Sequence, residues 1–256
     1  MTTTTTPSIA LVTGGSRGLG KSTALHLAQQ GHDVVLTYKT QHAEAAAVVA
    51  QIEALGRKAL ALQLDVSDSA SFAAFATQLR QGLQAQWGRE TFHILVNNAG
   101  AGVHASLMET SAAQFDTLVD IHFKGVFFLT QALLPLMADG GRIVNVSSGL
   151  TRFALPGYSA YAAMKGAVEV LTRYMAKELG PRSIAVNTVA PGAIATDFGG
   201  GAVRDNAQLN AFVASQTALG RVGEADDIGA MVASLVGENN RWINAQRIEV
   251  SGGMFV

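Results

Sequence analysis

The chain has 256 residues, 18 Lys and Arg against 19 Asp and Glu, a formal net charge of −1 and no cysteine. Near-neutral charge without a basic run argues against a nucleic-acid partner, and the missing thiols exclude disulfides and thiolate metal sites. Six histidines without metalloprotease spacing argue against a bound transition metal, and a hydrophobic fraction of 48% against 14% charged implies a substantial core and a surface partly covered by packed layers or partner subunits.

In chain order, Met1 to Pro7 is a threonine run with neither the basic nor the apolar stretch of a signal peptide, and it reads as a frayed tail. Seven aliphatic or β-branched runs follow: Ile9–Val12, Val34–Leu36, Leu60–Leu64, Ile94–Val96, Ile143–Val146, Ala185–Val189 and Ile248–Val250, each expected to be a buried strand. Between them apolar residues recur at helical spacing, as at Leu25, Leu27 and Ala28 before Gly31, or Val168, Leu171 and Met175 before Gly180. End-to-end alternation predicts an α/β, Rossmann-type, doubly wound fold, a seven-stranded parallel sheet with helices on both faces, in a single domain over 1–256. The apolar stretch Val126 to Met137 is interrupted by Thr130, Gln131 and Pro135 and is too short to span a bilayer, so a cytoplasmic protein without a membrane partner is expected. Thr196 to Gly223 fits the alternation least. Its Gly199-Gly-Gly201 suggests a mobile insertion that could serve as a substrate lid.

The first strand runs into Thr13-Gly-Gly-Ser-Arg-Gly-Leu-Gly20 and then a helix. Glycines at 14, 18 and 20 let a pyrophosphate approach the backbone, and the amides at a helix start favour an anion; they could also merely permit tight packing. The second strand ends at Tyr38 and is followed by Lys39, with no acid to meet a ribose 2′-hydroxyl, because Asp33 precedes the strand and Glu44 lies inside the next helix. Lys39 and Arg17 could neutralise a 2′-phosphate, which points to NADP, or could be ordinary surface charges. Asp65 could accept from an adenine amino group or cap the helix starting near Ser67. Asn97-Asn-Ala-Gly100 could tie neighbouring strands and leave space for the adenine ribose.

If Tyr158 to Leu179 is helical, Tyr161 and Lys165 share one face, one turn apart. A cation beside the phenol would lower its ordinary value near 10, and the same lysine could hold the nicotinamide ribose. Ser148, just after the fifth strand, can donate to a substrate oxygen. Tyr158 has Ala162 four residues on and so lacks the cation, and alternation turns Ser147 to the opposite face.

With these motifs in this order, the chain resembles the short-chain dehydrogenase/reductase family from Ile9 to Gly253, in particular its 3-oxoacyl-[acyl-carrier-protein] reductase-like and carbonyl reductase-like members. The resemblance rests on the glycine turn, Asp65, Asn97-Asn-Ala-Gly100, Ser148, Tyr161-x-x-x-Lys165 and Pro191-Gly192. It implies Tyr161 as catalytic acid/base, Ser148 orienting the carbonyl, and Lys165 binding ribose and lowering the tyrosine pKa. It also implies Ile194 and Thr196 at the nicotinamide carboxamide. The NADP contacts expected on this basis come from Gly14, Ser16, Arg17, Gly18, Leu19, Gly20, Tyr38, Lys39, Asp65, Val66, Asn98, Ala99, Gly100, Tyr161, Lys165, Pro191, Gly192, Ile194 and Thr196.

Three positions depart from the family pattern. His122 stands where the family usually has an asparagine that helps hold a relay water. It could serve that relay or be a packing substitute, and an imidazole's charge can change between pH 5 and 8. Ala245 and Ser251 stand where glycine and aspartate are common.

Gly102, Val103, Phe153, Leu155, Pro156, Tyr158 and Phe198 are expected around a mainly apolar substrate pocket. Lys124, Arg152 and Arg182 are candidates for a basic patch facing an acidic carrier. The expected activity is NADPH-dependent reduction of a small-molecule ketone or aldehyde by a homo-oligomer, a tetramer or dimer. The alternatives are oxidative alcohol, sugar or steroid dehydrogenation, and a catalytically silent NADP-binding redox sensor.

Overall fold

The structure, a computed structural model, describes residues 7–256. Six of the residues expected to form a frayed tail therefore lie outside the described region, and the seventh, Pro7, accepts a hydrogen bond at its carbonyl from Arg89 Nη2 (2.5 Å). The strands are β1 (Ile9–Val12), β2 (Asp33–Tyr38), β3 (Ala59–Gln63), β4 (Phe92–Asn97), β5 (Met137–Val146), β6 (Ala185–Pro191) and β7 (Arg247–Val250). They form one sheet in the order β3-β2-β1-β4-β5-β6-β7, and every pairing is parallel.

Period-two alternation along each strand supplies a core on both faces. Ala10 and Val12 of β1 join Leu27 of α1 (Gly18–Gln29), Ile52 of α2 (His42–Ala54) and Val232 of α9 (Ala225–Leu235). Ile9 and Leu11 join Leu79 of α3 (Phe72–Trp87), Leu133 of α5 (Gly125–Leu133) and Met175 of α6 (Ser159–Leu179) on the other side. Because β1 sits between β2 and β4, the chain reverses its winding direction there. A crevice opens at the carboxyl ends of β1 and β4, where doubly wound sheets bind ligands.

Some expectations need correction. Asp33 opens β2 instead of preceding it, because its buried carboxylate is satisfied by Arg57 Nη2 (2.6 Å), Lys58 N (2.9 Å) and Trp87 Nε1 (2.9 Å). It remains far from the strand end that would meet a ribose. Strand β7 is half-buried throughout, because it is the sheet's edge and carries Arg247 and Glu249 between its apolar residues.

The region around Val126 is also longer than expected. Here α4 (Ala112–Val119), a π-helical turn (Asp120–Lys124), α5 and a 3₁₀ turn run on without a break. The resulting helical run, Ala112–Leu136, is long and apolar enough by length and composition to cross a membrane. In this fold Leu118, Leu129 and Leu133 are buried in the protein, while Phe127 and Phe128 stay exposed. Thr196 to Gly223 folds into a 3₁₀ turn (Phe198–Gly201), α7 (Ala202–Asp205) and α8 (Ala207–Ser215). Gly199, Gly200 and Gly201 all take positive φ, which explains the run of three glycines.

Candidate active site

The glycine turn leads directly from β1 into α1. Gly14 and Gly18 have positive φ, and a side chain at Gly20 would strike Gly14 O and Asn98 Nδ2. Asn98 fixes the turn by donating from Nδ2 to Thr13 O (2.8 Å), while Thr13 Oγ1 accepts from the amides of Asn98 and Ala99 (2.9 and 3.0 Å). Arg17, at the start of α1, gives no side-chain cap, so the first-turn amides remain available to an anion. Asn97 ties β4 to its neighbours through Asn145 Oδ1 (2.9 Å) and Thr130 Oγ1 (3.1 Å). The strand-tying reading of the two asparagines therefore holds. A cleft of about 440 Å³ beside the turn is lined by Gly18, Lys21, Thr196, Asp197 and Arg204, among others.

The residues expected at the adenine end engage one another. Lys39 Nζ lies 2.7 Å from Asp65 Oδ2, and Asp65 Oδ1 accepts from Ser67 N (3.0 Å) and Ser67 Oγ (2.6 Å). Asp65 is thus both the cap of the following turn and the partner of Lys39, and these bonds hold its carboxyl below the ordinary carboxylate value despite the desolvation that opposes them. Arg17 stands 3.9 Å from Asp197. Both cations keep more than half of their side-chain surface exposed. The cradle and its flanking cations therefore fit a dinucleotide phosphate, with the carboxylates as competing partners.

At the far end of β6, Gly192 N donates to Val250 O (3.0 Å), and a side chain at Gly192 would press on Ser251. Ile194 pairs with Gly223 in a parallel bridge. Thr196 is buried beside Gly18, so the segment after β6 does reach the phosphate turn. The Val66 carbonyl lies over Gly125, where a side chain would come within 2.5 Å of it.

Ser148 follows β5, and its Oγ accepts from Leu150 N (3.2 Å). Tyr161 and Lys165 are both buried on one face of α6. Burial raises the Tyr161 phenol above its ordinary value, the neighbouring Ser148 side chain works against the rise, and nearby Tyr158 adds to it. The expectation that Lys165 depresses the phenol is not met. Its Nζ lies 5.6 Å from the Tyr161 ring centroid and donates to Val146 O (2.8 Å). Burial also pushes the lysine itself down to about 7, so desolvation dominates at both groups.

His122 lies in the π-helical turn and is buried. Its ring meets Tyr161 edge-on at 5.1 Å. Nε2 is 2.7 Å from Ala101 O, so Nε2 carries the proton and donates to that carbonyl. Nδ1 is left as a buried acceptor without a partner among the described residues. Burial, helped by the Lys165 charge, pushes the imidazole down to about 3. His122 therefore stays neutral between pH 5 and 8, which corrects the expectation of a charge change there. Gly100 is required beneath it, because a Cβ would come within 2.9 Å of His122 Cε1.

Of the expected substrate residues, Phe198 lies against Tyr161 (ring centroids 5.7 Å) and over Gly102. Phe153 packs on Gly149 and on Phe255 (4.9 Å), and Tyr158 meets His104 edge-on at 5.0 Å. Val103 and Leu155 are half-buried, whereas Pro156 faces solvent. His104 and Phe255 were missed because only tertiary contact brings them here. Each cation proposed for a carrier patch is already paired: Lys124 with Asp120, Arg152 with Glu249 and Arg182 with Asp139.

Residues 14–255 match the family model described as Enoyl-(Acyl carrier protein) reductase. The 3-oxoacyl-[acyl-carrier-protein] reductase FabG of Staphylococcus aureus is 37% identical, covering 96% of this chain and 98% of its own length. Among solved structures, the promiscuous reductase LugOII, which catalyses keto-reduction at C1 in lugdunomycin biosynthesis, is 41% identical with TM-score 0.92, covering 97% of this chain and 98% of its own. The angucycline C-6 ketoreductase LanV, solved with bound NADP, is 36% identical with TM-score 0.92 and coverages of 97% and 95%. With the Ser148, Tyr161 and Lys165 constellation at the carboxyl edge of a doubly wound sheet, these likenesses extend over almost the whole chain: it is an oxidoreductase of the short-chain dehydrogenase/reductase family.

Proposed function

We propose that the protein reduces a ketone or aldehyde to an alcohol at the expense of NADPH. The observation that carries this reading is the placement of Ser148, just past β5, beside the face of α6 that carries buried Tyr161 and Lys165, which sets two hydroxyl donors where one carbonyl oxygen could accept from both. Gly14, Gly18 and Gly20 with the first amides of α1 would hold the pyrophosphate. Arg17 and Lys39 would hold the 2′-phosphate by leaving Asp197 and Asp65, and Lys165 would hold the nicotinamide ribose. When bound, the cofactor supplies the hydride.

Tyr161 then gives its proton to the carbonyl oxygen while Ser148 stabilises the developing charge. A phenol kept protonated by burial suits a donor, which favours reduction over alcohol oxidation. Lys165 would restore the Tyr161 proton, with the free Nδ1 of neutral His122 accepting from a relay water. Two adjacent hydroxyl donors serve a carbonyl oxygen better than a carbon–carbon double bond, which favours ketone chemistry over the enoyl reduction in the family model's description. The ketoreductase activity of LugOII and the bound NADP of LanV support the same reading.

Phe198 and the segment from Thr196 to Gly223 would act as the substrate lid. A cytoplasmic homo-oligomer is the setting that fits exposed Phe127 and Phe128 on α5 and Val170 and Tyr174 on α6. NADPH consumption measured over a panel of ketones, aldehydes and 3-oxoacyl thioesters, with NADH alongside, tests the reading. Turnover that requires NADPH is expected; tight NADPH binding with no turnover on any carbonyl would favour the silent sensor.

A further inference from the structure

Behind Ser148 lies a charged cluster that the reaction itself does not use. Glu169, one turn beyond Lys165 on α6, has only 14% of its side chain exposed. Its Oε1 accepts from Ser147 Oγ (2.6 Å), Thr151 Oγ1 (2.7 Å) and Arg247 Nε (2.8 Å). Arg247, on edge strand β7, reaches the same turn from the other side. Its Nη2 donates to Thr151 Oγ1 (3.0 Å) and lies 3.4 Å from Ser148 O. The Thr151 hydroxyl is also 2.9 Å from Ser148 O. Glu249 extends the cluster, accepting from Arg247 Nη1 (2.9 Å) and Arg152 Nη2 (2.6 Å).

We propose that Glu169 and Arg247 are positioning residues that hold the Ser148 turn in register with Tyr161; this rests on the carbonyl-reductase reading above. Tyr161 and Glu169 belong to one helix, and the Glu169 carboxylate grips residues on both sides of Ser148. The distance between the two catalytic hydroxyls is therefore set by a brace about two helical turns long. Arg247 neutralises the carboxylate and touches the Ser148 carbonyl, so removing Arg247 leaves Glu169 largely buried without its counter-charge, while removing Glu169 leaves Arg247 with Glu249 alone. A displacement of about 1 Å between reacting groups can cost roughly a hundredfold in rate, so a loosened turn would be felt in turnover before it is felt in binding.

The test uses the full chain as wild type, Glu169→Gln, Arg247→Met, Arg247→Lys and the Glu169→Gln/Arg247→Met double variant. Amide hydrogen exchange is followed in peptides covering 147–152, and NADPH oxidation is measured with ethyl acetoacetate as the probe ketone. In the variants, exchange should rise in 147–152 while β1 stays protected. NADPH affinity and KM should hold within about twofold, and kcat should fall about tenfold to a hundredfold. Arg247→Lys should recover part of kcat, and the double variant should be little worse than either single one. Unchanged exchange in 147–152, or raised exchange with unchanged kcat, would overturn the proposal. Loosening throughout the sheet with lost NADPH binding would also overturn it, by making the cluster a fastening of the fold. A wild-type chain that does not turn over would count against the reductase reading alone, and exchange would still decide whether the brace exists.

Discussion

At Lys165 and His122, burial has moved two bases in the same direction with different consequences. The lysine falls from 10.5 to about 7. Between those values the unfolded chain holds a proton that the folded chain has released, so stability rises with pH across that window. Urea unfolding should show the midpoint rising from about pH 7 towards about pH 10, with Lys165→Met flattening the rise; an equal slope in the variant would refute the assignment. His122, at about 3, contributes no charge change at neutral pH, and the role proposed for it runs through its unpartnered Nδ1 acceptor. His122→Asn should therefore keep kcat within a fewfold, whereas His122→Leu, with no acceptor, should lose about tenfold or more. Equal activity in both would make His122 a packing residue. Tyr161 and Lys165 were legible in the sequence because one helical turn fixes their relation. Glu169, Arg247 and His104 were not, because their partners lie 18 to 99 residues or a whole layer away.

Among the elements, the strands were readable because β-branched and aliphatic runs bounded by turns have few other uses in a parallel sheet. The π-helical turn at Asp120–Lys124 was not, since its 5-residue register leaves no periodic mark in so short a span. Edge strand β7 was misjudged for a related reason: two apolar residues flanking Glu249 do not reveal which side of the sheet has no neighbour. The turn entering β7 has a visible cost. Ala245 sits at φ +60, a left-handed conformation that disfavours a Cβ by about 1–2 kcal/mol. The greater freedom of glycine in the unfolded chain offsets about 0.5–1 kcal/mol of that. Ala245→Gly should then raise the unfolding free energy by about 0.5–1 kcal/mol in urea titrations, and a loss of stability would mean that the methyl group packs more than its backbone strains.

For the molecule as a whole, low charge and exposed aromatics belong together. Phe127 is 38% exposed and Phe128 43%, on a helix whose opposite side is in the core, and Tyr174 on α6 is 64% exposed. Apolar surface of this kind is usually covered in an assembly. Sedimentation velocity should therefore give a dimer or tetramer for the wild type and smaller species for Phe128→Ser combined with Tyr174→Ser; a stable wild-type monomer would contradict the assembly. The doubly wound architecture was legible from alternation alone, whereas which aromatic side chains stay exposed depends on which helix faces the sheet leaves uncovered. The proposed mechanism turns on one phenol delivering the proton to a carbonyl oxygen. Its most direct test is turnover by Tyr161→Phe set beside its NADPH affinity. NADPH binding should be kept and carbonyl reduction lost by at least about a hundredfold. Reduction at the wild-type rate by Tyr161→Phe would contradict it.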